Sequence, residues 1–131
     1  MYRVLLVTDA PGRLAAFAAA LQAQCELSRV PLAQSREAAA RFKPHLVVVD
    51  QRGGPQATVE LLQGLLQQDA MMNLAVVSGQ DPEDFHRSYE GLGVMAQLPP
   101  RPGRKEAQEL LARLQEMIGI WLGVSSGPTS F

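Results

Sequence analysis

Short apolar runs without alternation recur along this chain, separated by longer stretches in which apolar residues return every three or four positions. Arg3 to Val7 is rich in Val and Leu and has no polar face, the pattern of a strand covered on both sides. Leu46 to Val49 is the strongest such run and leads directly into Asp50. Leu74 to Val77 is a third and ends at Ser78-Gly79; Glu26 to Val30 reads as a weaker edge strand, and Val94 to Leu98 as a short fifth. The spacing of Leu14, Phe17, Ala18 and Leu21 predicts a helix from Pro11 to Ala23, with Asp9 near its N-cap and Pro11 in the first turn. Ser35 to Phe42 reads as a helix capped by Ser35 and ended by Lys43-Pro44. Further helices are predicted from Ala57 to Gln68, from Asp81-Pro82-Glu83 to near Gly91–Gly93, and from Lys105 to Leu122. Pro99, Pro100 and Pro102 make a stiff connection into the last one.

Five strands alternating with five helices imply an α/β domain: a parallel sheet with helices on both faces. It spans 1–122, with 123–131 as a tail or linker without periodicity. In such sheets the working site lies at the carboxyl ends of the strands. That rule selects Thr8, Asp9, Asp50, Ser78 and the residues near Pro99.

Composition narrows the function classes. A formal net charge of -1 provides no general attraction for nucleic acid or an anionic membrane. The expectation is therefore no direct nucleic-acid binding and no membrane association; the opening apolar run, Val4 to Val7, is too short for a signal peptide and no stretch approaches membrane-spanning length, so a cytoplasmic location is expected. Cys25 is the single cysteine, which rules out an internal disulfide and a thiolate cage and suits a small buried hydrophobe. His45 and His86 have no partner at metal spacing. Pro99-Pro100-Arg101-Pro102 reads as a stiff loop in preference to a polyproline ligand, and Met71-Met72 as packing or loop residues. Trp121 and Leu122 extend the apolar stripe Leu110, Leu111, Leu114, Met117 and Ile118 and form a candidate docking point.

Two acids at neighbouring strand ends repel one another unless a cation lies between them. Magnesium, bound by carboxylates and a carbonyl, suits such a place. A carboxylate can attack phosphorus, and a hydroxyl such as that of Ser78 can hydrogen-bond the transferred group. Pro44-His45-Leu46-Val47-Val48-Val49-Asp50 resembles the segment leading to the phospho-accepting aspartate of bacterial response-regulator receiver domains. Leu5-Leu6-Val7-Thr8-Asp9 looks like the family's first strand and acidic pair. Glu60-Leu61-Leu62, Val76-Val77-Ser78-Gly79 and Gly93 fall in the family's order, so the resemblance covers Arg3 to Leu122. It implies a flavodoxin-like (βα)5 sandwich with strand order 2-1-3-4-5, and a signalling module without a substrate of its own. It also implies Asp50 as phospho-acceptor, and Mg2+ held by Asp9, Asp50 and the main-chain carbonyl of Arg52. Ser78 would be the switch hydroxyl, and a histidine kinase or other signalling protein the partner.

The departures from the pattern bear on function. Thr8 stands where a second acid is usual, which weakens the metal site. Pro99-Pro100 replaces a Lys-Pro, leaving Arg101 or Arg104 as the cations available to substitute for the lysine. No Tyr or Phe lies between Val94 and Leu98, and Gly54 and Thr58 replace a proline and a glycine after the acceptor. Three readings follow: a receiver phosphorylated on Asp50; a phosphorylation-independent receiver that docks or dimerises through its fourth and fifth helices; and a flavodoxin-like ligand-binding domain. Against the third, Thr8-Asp9-Ala10-Pro11-Gly12 puts an acid where a phosphate loop would lie.

Overall fold

The computed structural model describes residues 1–121, with side-chain surroundings to residue 118. The Trp121 side chain, Leu122 and the 123–131 tail lie outside the described residues. Five strands form one parallel sheet in the order β2-β1-β3-β4-β5: β1 (Arg3–Val7), β2 (Glu26–Val30), β3 (Leu46–Asp50), β4 (Asn73–Val77) and β5 (Val94–Leu98). The helices are α1 (Ala15–Gln22), α2 (Ser35–Phe42), α3 (Gln56–Gln68), α4 (Pro82–Ser88) and α5 (Arg104–Trp121). The alternation of elements predicts the parallel sheet, and the strand order is the flavodoxin-like one that the family resemblance implies.

The three central strands, β1, β3 and β4, each carry four consecutive apolar residues because alternate side chains enter two different cores. Val4, Leu6, Val48, Ala75 and Val77 face α1 and α5, where they meet Leu14, Phe17, Leu21, Leu110 and Leu114. Leu5, Val7, Val47, Val49, Leu74 and Val76 face the opposite layer, with Ala39, Leu62, Leu65, Phe85 and Tyr89. Cys25 is buried in the first core and its thiol donates to the Leu21 carbonyl at 3.0 Å.

Several helix boundaries differ from the sequence reading. Pro11–Leu14 is a 3-10 turn ahead of α1, and it has no side-chain cap. The Asp9 carboxylate instead accepts from the backbone N–H of Leu32, 3.0 Å away, so its hydrogen bond goes to the β2–α2 connection. A second 3-10 turn, Leu32–Gln34, precedes α2, which makes Ser35 its first residue and not its cap. The Ser35 hydroxyl donates back to the Leu32 carbonyl at 2.8 Å. α5 begins one residue before Lys105. α4 stops at Ser88, earlier than the glycines suggested, because Tyr89 leaves helical geometry as its ring turns into the core.

At the amino end of the sheet, His45 Nδ1 accepts from the backbone N–H of Arg3 at 2.9 Å, and its ring meets Tyr2 edge-on. Desolvation by burial, followed by the charge of Arg3, lowers the His45 pKa. The unfolded chain therefore takes up this proton first as pH falls. The stability this site contributes is full above about pH 6.5 and declines as pH drops toward the lower folded value. Thermal melts at pH 7 and pH 5 are expected to show a larger acid loss for the wild-type chain than for His45→Gln, which cannot titrate. Equal losses would remove His45 as the cause.

Candidate functional site

Parallel register brings three polar strand ends together. Val7 pairs with Val49, Asp50 with Val77, and Val77 with Leu98, so Thr8, Asp50 and Ser78 emerge side by side at the carboxyl edge. The ladder continues past the strands: Gln51 N–H donates to the Val77 carbonyl and Ser78 N–H to that of Leu98, both at 2.9 Å.

Asp50 is fully buried, and its carboxylate is occupied from within the chain. The Thr8 hydroxyl donates to Asp50 Oδ2 at 2.7 Å. One guanidinium nitrogen of Arg13 contacts both carboxylate oxygens at 2.5 Å. The other donates to the Pro100 carbonyl at 3.1 Å. Burying a carboxylate is costly unless charge partners and donors surround it, and here a guanidinium and a hydroxyl are supplied by residues that follow β1. Thr8 does double duty, because its oxygen also accepts from the backbone N–H of Ala10 at 2.9 Å and so shapes the turn that carries Arg13. Leu14 and Phe17, both fully buried, hold that turn onto the sheet.

The loop between β5 and α5 closes over the same place. Pro102 is buried, and Gly79 lies so near that a Cβ there would stand 3.1 Å from Pro100 Cγ. Arg13 thus ties the carboxylate of β3 to the β5–α5 loop. The two arginines that the sequence offered in place of a lysine, Arg101 and Arg104, are exposed. The cation at Asp50 comes from the other end of the chain. Arg13 carries no strand-end signal in the sequence: it lies five residues beyond Thr8, on the turn above the same edge.

The remaining site residues make no hydrogen bond to this carboxylate. Asp9 turns toward Leu32, and Arg52 sits on an exposed loop after Gln51. Ser78 is buried, and its oxygen accepts from the backbone N–H of Gln80 at 3.1 Å. Magnesium would need several oxygens around one point. Among the described residues no group of three acidic, histidine or cysteine side chains is placed to hold a metal ion. With one carboxylate in place, a guanidinium already on it and the second acid facing away, the residues present do not fit that ion.

No family model matches the sequence, and no curated protein matches it. Solved structures do. A CheY-like protein, TadZ, from Pseudomonas aeruginosa PAO1 shares 12% identity over 100% of this chain and 99% of that one, with a TM-score of 0.71. A response regulator from Desulfuromonas acetoxidans shares 21% over 92% and 98%, TM-score 0.72. The Vibrio cholerae chemotaxis protein CheY4 shares 14% over 87% and 98%, TM-score 0.76. The chain therefore has the fold of response-regulator receiver domains. No helix among the described residues is long and apolar enough to cross a membrane.

Proposed function

We propose that this chain is a signalling module of the receiver type that works through protein contacts without phosphorylation of Asp50. The observation that carries the reading is the carboxylate itself. Its oxygens are engaged by Thr8 and Arg13, and the acid expected to share a metal with it faces elsewhere. Phosphoryl transfer to a carboxylate draws on electrostatic stabilisation of the transferred group. A nucleophile already paired with a guanidinium, with no second acid turned toward it to share a cation, is poorly prepared for it. The natural contact surface is the face built from α4, β5 and α5, where a cleft of about 480 Å³ runs past Phe85, Tyr89, Val94 and Met95. A second copy of the chain or another signalling protein docks there, in the cytoplasm, and the module has no substrate of its own.

The competing reading is a receiver phosphorylated by a histidine kinase. Arg13 favours it in one respect, since it supplies the cation that Pro99-Pro100 lacks and could follow a phosphoryl group placed on Asp50. Incubation with magnesium and acetyl phosphate, or with a beryllofluoride mimic, separates the two. Intact mass and amide spectra are expected to be unchanged at high magnesium. A mass gain of one phosphate that disappears in Asp50→Asn would overturn the proposal and return Asp50 to the role of acceptor.

A further inference from the structure

α4 has seven residues, too few to hold a helix by its own hydrogen bonds, and Phe85 is its only buried residue. Its final turn is nevertheless tied down at two points. The Tyr89 hydroxyl, buried beneath the turn, donates to Gln51 Oε1 at 2.6 Å, and the Gln51 amide donates onward to the Gly53 carbonyl at 3.1 Å. The Gln80 amide donates to the Ser88 hydroxyl at 3.1 Å. Gln97 of β5 fixes the loop from which that second tie starts, donating to the carbonyls of Ser78 at 3.2 Å and Gln80 at 2.8 Å. Three glutamine amides thus join the ends of β3, β4 and β5 to one turn of helix.

Both ties begin beside candidate-site residues. Gln51 follows Asp50 directly, and Gln80 bonds Ser78 through its side-chain oxygen and its backbone N–H. Tyr89 is suited to a permanent tie: burial raises the pKa of its hydroxyl, against an opposing hydrogen bond with Thr58, so it remains a donor. Its ring packs on Phe85 with centroids 4.6 Å apart, which joins the polar tie to the apolar anchor.

We infer that the Tyr89–Gln51 and Gln80–Ser88 bonds form a two-point brace that holds α4 in one position against the ends of β3 and β4. Tyr89 and Gln80 are positioning residues in this device. The α4 face is then presented ready-made, and it loosens when the segment after Asp50 moves. The brace rests on these contacts alone and stands whether or not Asp50 accepts phosphate.

Amide hydrogen exchange on the full chain tests it. The reporters are the Phe85 and Tyr89 amides, which donate to the Asp81 and Phe85 carbonyls within α4. Tyr89→Phe keeps the ring and removes only the hydroxyl. Exchange at both reporters is expected to accelerate about fivefold to tenfold, the worth of one net hydrogen bond, while amides of β1 and β3 keep their wild-type rates. Gln80→Ala, which cuts the other tie from outside the core, is expected to act in the same direction. Unchanged α4 exchange in both variants would overturn the inference. So would equal acceleration in α4 and in the β1 and β3 amides, since that marks loss of global stability without a local brace.

Discussion

Arg13→Met is expected to lower the stability of the domain by about 2–3 kcal/mol, on the order of 10 °C in melting temperature. Methionine keeps most of the apolar stem and removes the charge, so the loss reports the ion pair more than the packing. The cost falls on Asp50. Its carboxylate is fully buried and would retain the Thr8 hydroxyl as its one side-chain donor. The Arg13 side chain is 25% exposed, so water can partly enter the vacated space, which places the value below that of a wholly buried pair. Asp50→Asn should be destabilising as well. That sign is diagnostic, because a site made of crowded, unneutralised acids would gain stability when one of them is neutralised. A double-mutant cycle adding Asp50→Leu to Arg13→Met is expected to recover much of the loss, as replacing both partners removes the stranded charge. Chemical denaturation of the four proteins of the cycle, and of Asp50→Asn beside them, provides the check. Additive single-mutant losses, or a stabilising Asp50→Asn, would mean that the pair contributes nothing to the folded state.

Phe17→Ala is expected to cost more, about 3–5 kcal/mol. Phe17 is fully buried in the core between the sheet, α1 and α5, and its neighbours there include strand and helix residues that cannot all move inward. The residual cavity adds to the lost transfer free energy. Phe17 also lies one turn beyond Arg13, so this substitution loosens the support of the Arg13 turn. The denaturation midpoint should fall far below that of Phe85→Ala, because Phe85 lies at the helix layer's edge and is 8% exposed. A Phe17→Ala midpoint close to wild type would show that the α1–α5 layer repacks freely, and the account of how Arg13 is held would fail with it.

Strand β3 could be read directly, since four consecutive apolar residues before an acid satisfy a strand with helices on both sides, and its bounds differ by the single residue Asp50. β2 and β5 were also placed correctly although their apolar character is weaker. Helix boundaries were less visible. A 3-10 turn and an α-helix share much of their apolar spacing, so the sequence of Pro11–Leu14 did not separate the two, and Asp9 looked like a cap although its bond runs to Leu32 across the fold. Tyr89 was hidden for a similar reason. It stands outside the strand Val94–Leu98, and its hydroxyl reaches Gln51, 38 positions away.

The sequence by itself determined the alternation of elements, the parallel sheet and the neighbourhood in which Thr8, Asp50 and Ser78 had to meet. Those follow from periodicity and strand-end geometry, which are local properties summed along the chain. Tertiary structure alone decided the partners of Asp50. A charge pair between positions 13 and 50, and a carboxylate at position 9 turned toward residue 32, depend on side-chain directions after folding. Buried charge makes those directions consequential: Asp50 must find a cation within reach, and the fold delivers one from the turn after β1.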